Sequence, residues 1–96
     1  MSLESVTETV REKVATASDF DHTVKFDFGD DGLVYVDGNN NTVSNDDADA
    51  ECTITMTLEN FEKMTAGDLD PTSAFMMGKL KVSGDMGVAM KLSSVI

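Results

Sequence analysis

The chain is poor in the residues that stabilise or catalyse by covalent means. Its 96 residues include one cysteine, one proline, one histidine, one tyrosine and no tryptophan. A lone cysteine excludes an intramolecular disulfide and a cysteine-rich metal site. A lone histidine leaves little for nucleophilic chemistry, because a Ser or Cys nucleophile needs a base beside it. Cys52 falls on the apolar side of an alternating segment, where a structural thiol is expected. His22, beside Asp21 at the mouth of a strand pattern, is expected to be solvated. Basic residues are scarce as well: 7 Lys and Arg stand against 18 Asp and Glu, for a net charge of −11. That balance excludes nucleic acid as a partner, since phosphate binding needs clustered cations. It also argues against adhesion to anionic membrane surfaces. No apolar run approaches the length of a bilayer span, so no stable membrane insertion is expected. The stretch from Met1 to Ser18 is acidic and amphipathic, unlike a secretory signal, and a cytoplasmic location is expected. The glycines fit no phosphate-cradling loop, and no cofactor is expected.

What is present is a clear alternation of periods. Leu3, Val6, Val10, Val14 and Ala17 recur every three or four residues, which predicts a helix over 3–17 with Ser2 as its N-cap. The period then switches to two. Val24, Phe26 and Phe28 alternate with Lys25 and Asp27, and Leu33 to Val36 follows beyond a Gly29–Gly32 turn, as a hairpin. A third short strand is expected at Thr42 to Ser44, then a polar, acidic loop to Glu51. Cys52, Ile54 and Met56 alternate with Thr53, Thr55 and Thr57 in the next strand. Leu58 to Thr65 reads as a helix that Gly67 stops. Asp70-Pro71 opens another, over 71–77. Lys79 to Ser83 is a fifth strand, and Gly84-Asp85 leads into a last helix. This order predicts one α+β domain over 1–96: a five-stranded, mainly antiparallel sheet covered on one face by helices.

The many carboxylates sit in turns, at Asp30-Asp31, Asp46-Asp47-Asp49, Asp68 and Asp70, where turn formation and capping suffice to explain them. Acid–base catalysis would need carboxylates inside a cleft. Asp37, Asn39 and Asn41 have the spacing that opens a calcium loop, as do Asp47, Asp49 and Glu51. Both fail at the sixth position, where Thr42 and Cys52 replace glycine, and at the twelfth, where Ala48 and Leu58 replace glutamate. No metal site and no enzyme activity are expected.

Six of the seven methionines fall between Met56 and Met90. Methionine fills cores, and it also suits a wall that adapts to varied ligands. The segment from Ala50 to Leu92 resembles the sterol carrier protein-2 (SCP-2) family of lipid-transfer domains. The resemblance is carried by Cys52-Thr53-Ile54-Thr55-Met56, Phe61 and Met64, then Asp70-Pro71-Thr72-Ser73-Ala74-Phe75. It continues through Gly78-Lys79-Leu80-Lys81-Val82-Ser83-Gly84-Asp85-Met86-Gly87-Val88-Ala89-Met90-Lys91-Leu92. A tryptophan common in the second strand of the family is replaced here by the region of Leu33 and Tyr35, and the chain ends Ser94-Val95-Ile96 without a peroxisomal signal. The resemblance implies an apolar tunnel between sheet and helices, no catalytic residues, and a ligand such as a fatty acid, a fatty acyl-CoA or a sterol-like molecule.

On that resemblance the expected lining is Phe26, Phe28, Val36, Ile54, Met56, Phe61, Met64, Phe75, Met76, Leu80, Val82, Met86 and Met90. An acidic surface disfavours a strongly anionic head group unless Lys63, Lys79, Lys81 or Lys91 gather at the entrance. The alternative is an accessory or oligomerisation module whose apolar face docks a partner, a homodimer being one form of this. A dry void of about 300 Å³ would cost about 7 kcal/mol, against a whole-domain stability of about 5–15 kcal/mol. The space is therefore expected to be filled, collapsed, hydrated or covered. Native mass spectrometry and solvent extraction of the purified chain test this expectation, and a ligand-free monomer with a wide dry tunnel would contradict it.

Overall fold

The computed structural model describes residues 2–16 and 20–93. The expected helical position Ala17 and the tail Ser94-Val95-Ile96 lie outside the described residues. Among the described residues, four α-helices and five strands follow the order α1 (Leu3–Thr16), β1 (Thr23–Asp27), β2 (Leu33–Asp37), β3 (Thr42–Ser44), β4 (Cys52–Met56), α2 (Leu58–Thr65), α3 (Pro71–Met76), β5 (Leu80–Gly84) and α4 (Met86–Ser93). The strands form one mixed sheet in the order β3-β2-β1-β4-β5. Its pairings are antiparallel except for β1 with β4, which run parallel with Val24 opposite Cys52 and Phe26 opposite Ile54.

Local chemistry explains the element ends. Ser2 Oγ accepts from the Ser5 N–H at 3.2 Å, and the Ser2 N–H donates to Ser5 Oγ at 3.1 Å, a reciprocal cap on α1. Thr57 Oγ1 caps α2 by accepting from Asn60 N–H. Asp70 Oδ2 caps α3 by accepting from Ser73 N–H, with Pro71 at the first helical position. Between β1 and β2, Gly29 to Asp31 form a 3₁₀ turn flanked by positive φ at Gly29 and Gly32. The fifth strand lies one residue later than its alternation predicts: it starts at Leu80 rather than Lys79 and ends at Gly84, which pairs with Cys52.

One face of the sheet is dry. Val24, Phe26, Val34, Val36, Cys52, Ile54, Met56 and Leu80 are buried there beneath Val6, Val10 and Val14 of α1, Phe61 and Met64 of α2, Ala74 of α3, and Val88 and Leu92 of α4. Over β1, the Phe26 and Phe28 rings stack at 6.2 Å and Phe61 meets both edge-on at 5.2 and 5.4 Å, a favourable aromatic geometry. The opposite face is polar, and the 45–51 connection runs over it. Lys25 Nζ binds Asp47 at 2.7 Å and the Tyr35 hydroxyl donates to the Asp49 carbonyl at 3.3 Å. The hydrogen bond to Asp47 raises the Lys25 pKa against a smaller opposing effect of burial. Asn45 pins the start of the crossing, its amide donating to Thr7 Oγ1 and to the Leu33 carbonyl.

Gly84 sits at φ +101°, and a Cβ there would lie 2.4 Å from the Glu51 carbonyl oxygen. Gly84→Ala is therefore expected to destabilise the fold by about 2 kcal/mol or more, from backbone strain plus the clash. Asp70→Ala, which removes a cap alone, is expected to cost about 1 kcal/mol. Urea denaturation of both variants checks the ranking, and equal losses would contradict it.

Candidate functional site

The helices do not cover the dry face evenly. Over β2 and β3, α1 lays Val6, Val10 and Val14 against the sheet, all three buried. At the β5 edge the cover is a six-residue helix, α3, whose only buried residue is Ala74. A small residue lets the helix touch the sheet at one point and leaves the surface beside it bare. Met86–Ser93 forms the other wall. Val88 and Leu92, four residues apart, face the sheet, while Met86, Ala89 and Met90 turn toward α3. The result is a cleft of about 290 Å³ with Ile54, Leu80, Val82 and Leu92 at its base and Pro71, Thr72, Phe75, Met86, Ala89 and Met90 around it. It opens to solvent: Phe75 is 45% exposed, Met86 47% and Met90 72%. A cleft that water can enter escapes the penalty of a dry void.

Of the residues expected from the sequence to line a ligand site, the cleft gathers Ile54, Phe75, Leu80, Val82, Met86 and Met90. The others lie elsewhere. Phe26, Phe28 and Phe61 fill the aromatic centre of the core, Met56 and Met64 are buried, and Val36 lies on β2, which packs against α1. Met76 points outward and is 81% exposed. Pro71, Thr72, Ala89 and Leu92 join the lining without having been singled out. Ala89 had a signal available, lying three residues after Met86 and so on the same helical face. Among the described residues no three His, Cys, Asp or Glu side chains come together as a metal site. Among the described residues no titratable side chain lines the cleft.

His22 departs from its expected solvated position. Its side chain is only 25% exposed. The ring lies edge-on to Phe20, with Nδ1 3.4 Å from Glu51 Oε1, and Nε2 3.2 Å from Lys91 Nζ and 3.3 Å from Asp21 Oδ1. The parallel β1–β4 pairing causes this, since it brings Glu51 alongside Thr23. Glu51 Oε2 accepts from the Thr23 N–H at 2.9 Å, and Thr23 Oγ1 accepts from the Glu51 N–H. The Glu51 carbonyl accepts from Asp85 N–H where α4 begins. The junction thus fixes the start of one cleft wall. Of the remaining lysines, Lys63 pairs with Glu59, while Lys79 and Lys81 are exposed along the β5 edge. Cys52 is fully buried, and desolvation raises its thiol pKa.

The sheet order, the helical cover on one face and the cleft at the β5 edge define a small apolar-pocket domain. Comparison with known proteins identifies its class. The SCP-2 sterol transfer family matches residues 3–96, and the chain belongs to that family. Sterol carrier protein 2 of Homo sapiens is 45% identical over 58 residues, which make up 60% of this chain and 11% of that protein. The chain therefore corresponds to a small part of this curated relative. The crystal structure of Sterol Carrier Protein 2 Like 2 from Aedes aegypti superposes with a TM-score of 0.81 at 22% identity, covering 98% of this chain and 95% of that one. The solution structure of Sterol Carrier Protein 2 from Aedes aegypti in complex with palmitate has a TM-score of 0.78 at 23% identity, covering 98% and 94%.

Thr23 N–H, then His22, hold the Glu51 pKa below its ordinary value. A carboxylate with a depressed folded pKa contributes stability above its unfolded pKa and loses it as pH falls through the folded one. Glu51→Gln is therefore expected to be less stable than the parent at neutral pH, with the difference shrinking between about pH 5 and about pH 3. Denaturation at several pH values measures it. A gap that stays constant over the whole range would refute the assignment.

Proposed function

We propose that this chain is one SCP-2-type domain over 1–96, a non-catalytic cytoplasmic carrier that binds an apolar lipid-type ligand in the cleft between β4–β5, α3 and α4 and transfers it. The observation that carries the reading is the composition of the lining. Ten of the described residues surround the cleft, and among them Thr72 alone has a polar side chain. Such a surface attracts hydrocarbon, and the described lining holds no carboxylate, amine, imidazole or thiol. A cytoplasmic setting is supported by the acidic charge and by a single, buried thiol.

The cleft volume lies near the low end of the usual pocket range of about 300–1,000 Å³. A flexible acyl chain can bend along such a space more easily than a fused ring system can enter it, which favours a fatty acid or fatty acyl group over a sterol. The palmitate held by the similar Aedes aegypti protein supports the same preference. Burying each methylene contributes roughly 0.8 kcal/mol, so ten give about 8 kcal/mol gross. Association and ordering offset several kcal/mol of that, leaving a reversible complex. Reversibility is what a carrier needs. The flexible methionines at the rim allow chains of different length to be accommodated.

Ala89 is the smallest side chain in the lining, and Ala89→Phe would fill the cleft with little disturbance of the buried Val88 and Leu92. Titration of palmitate is expected to show affinity weakened about tenfold or more in this variant, with the melting temperature nearly unchanged. Met76→Ala, outside the cleft, is expected to bind like the parent. Undiminished palmitate affinity in Ala89→Phe would remove the cleft as the binding site.

A further inference from the structure

An anionic head group at the cleft needs a cation to meet it, and the lysines do not gather there. Lys63 pairs with Glu59 on α2. Lys91 Nζ lies 3.2 Å from His22 Nε2, at the β1–β4 junction. Lys81 stands opposite Thr55 in the β4–β5 pairing. Strand alternation puts it on the polar face of the sheet, away from Leu80 and Val82 in the cleft. Lys79 precedes the strand and is exposed, and it is not part of the described lining. Acids stand nearer. Each wall begins directly after a carboxylate: Asp70 precedes Pro71 and Asp85 precedes Met86, and both Pro71 and Met86 line the cleft. Local hydrogen bonds hold these carboxylates at the helix starts. Asp70 Oδ2 accepts from the Ser73 N–H at 3.2 Å and from Ser73 Oγ at 3.4 Å. Asp85 Oδ1 accepts from the Gly87 N–H at 2.8 Å. The polar side chain that the described lining does offer is Thr72, whose hydroxyl both donates and accepts. Asp70 already caps α3, so the helix does not need this hydroxyl. Thr72 is exposed, and so can be reached from the open mouth.

We propose that the cleft selects lipids whose head group is uncharged and hydrogen-bonding, a fatty alcohol being the simplest, and that Thr72 sets this preference by bonding to the head. The inference rests on the lipid-carrier reading and specifies the ligand class. An alcohol exchanges a hydrogen bond to water for one to Thr72 at little cost. A carboxylate or phosphate in the same place sheds hydration and finds no cation in the described lining to offset the loss. It also faces Asp70 and Asp85. At physiological ionic strength charges are screened beyond about 8 Å. These two adjoining carboxylates therefore weigh more than the rest of the net charge of −11. Palmitate still enters by its chain, leaving its carboxylate in water at the mouth. Its binding draws on the hydrocarbon alone.

Calorimetric titration of the full chain at neutral pH with 1-dodecanol and with dodecanoate tests the proposal. Dodecanol is expected to bind about tenfold tighter. Thr72→Val, which keeps the side-chain shape and removes the hydroxyl, is expected to lower the ratio of the two affinities severalfold. Thr72→Ser restores the parent ratio. Thr72→Lys places a cation at the mouth and is expected to invert it, with dodecanoate the tighter ligand. Thr72 is exposed, so the melting temperature should hold in all three variants. Dodecanol is the more hydrophobic ligand in water, so the variants decide the role of Thr72. Dodecanoate that binds the parent as tightly as dodecanol overturns the proposal. A ratio that Thr72→Val leaves unchanged, or that Thr72→Lys fails to invert, does so too. Ala89→Phe separates this from the broader reading. If it weakens both ligands while Thr72→Val leaves their ratio unchanged, the cleft remains a lipid site and only the head-group assignment falls. If neither ligand binds the parent, both fall.

Discussion

The pairing of β1 with β4 holds this molecule together. The first half of the chain is a local unit, a helix and a three-stranded meander. The second half contributes two strands and three helices. They share one sheet only because Val24 to Asp27 run parallel to Cys52 to Thr55. Parallel neighbours cannot be joined by a tight turn, so the chain must travel out through β2 and β3 and return. It returns over the polar face, held by Asp47 on Lys25 and the Asp49 carbonyl on Tyr35. That leaves the other face entirely to the helices. Glu51 completes the junction: its carboxylate serves Thr23 and its carbonyl receives the N–H of Asp85, so one residue positions β1, β4 and the origin of α4.

With the sheet set in this way, its dry face divides into a packed half and an unfilled half. Valines of α1 and the Phe26–Phe28–Phe61 group fill the first with side chains of defined shape, which provides a rigid core. At the β5 edge a six-residue helix touches the sheet through an alanine, and the facing helix presents methionines. A domain this small has little stability to spare. Keeping the core solid and confining the cleft to an open edge separates rigidity from open space. Methionine at that edge leaves the cleft wall deformable without loosening the core.

The same division explains how much was legible in the sequence. Period-two alternation showed that Phe26, Ile54 and Val82 share a face, because side chains of a strand must alternate. It could not show that Phe26 lies under α2 and Val82 beside a gap, since that depends on strand order and on which helix crosses where. Met76 and Met90 look alike as residues of short amphipathic helices. Met76 is exposed outside the cleft and Met90 lines it, a difference set by how each helix sits over the sheet. His22 is the same case: its sequence neighbour is Asp21, but Glu51 and Lys91, 29 and 69 positions away, form the rest of its surroundings.

By itself, then, the sequence determined the element order, the caps at Ser2 and Asp70, the identity of the buried face, the scarcity of histidine and cysteine, and, through the Ala50 to Leu92 segment, the family. These are properties of local backbone geometry and side-chain chemistry, written within a few residues of one another. Only the tertiary structure decided that β4 rather than β3 lies beside β1, that the acidic loop covers the outer face, and that the apolar site is a cleft at the β5 edge with methionines at its rim. Those outcomes depend on how helices of unequal length and bulk share one sheet. No stretch of chain carries that information, because the space left over belongs to none of them.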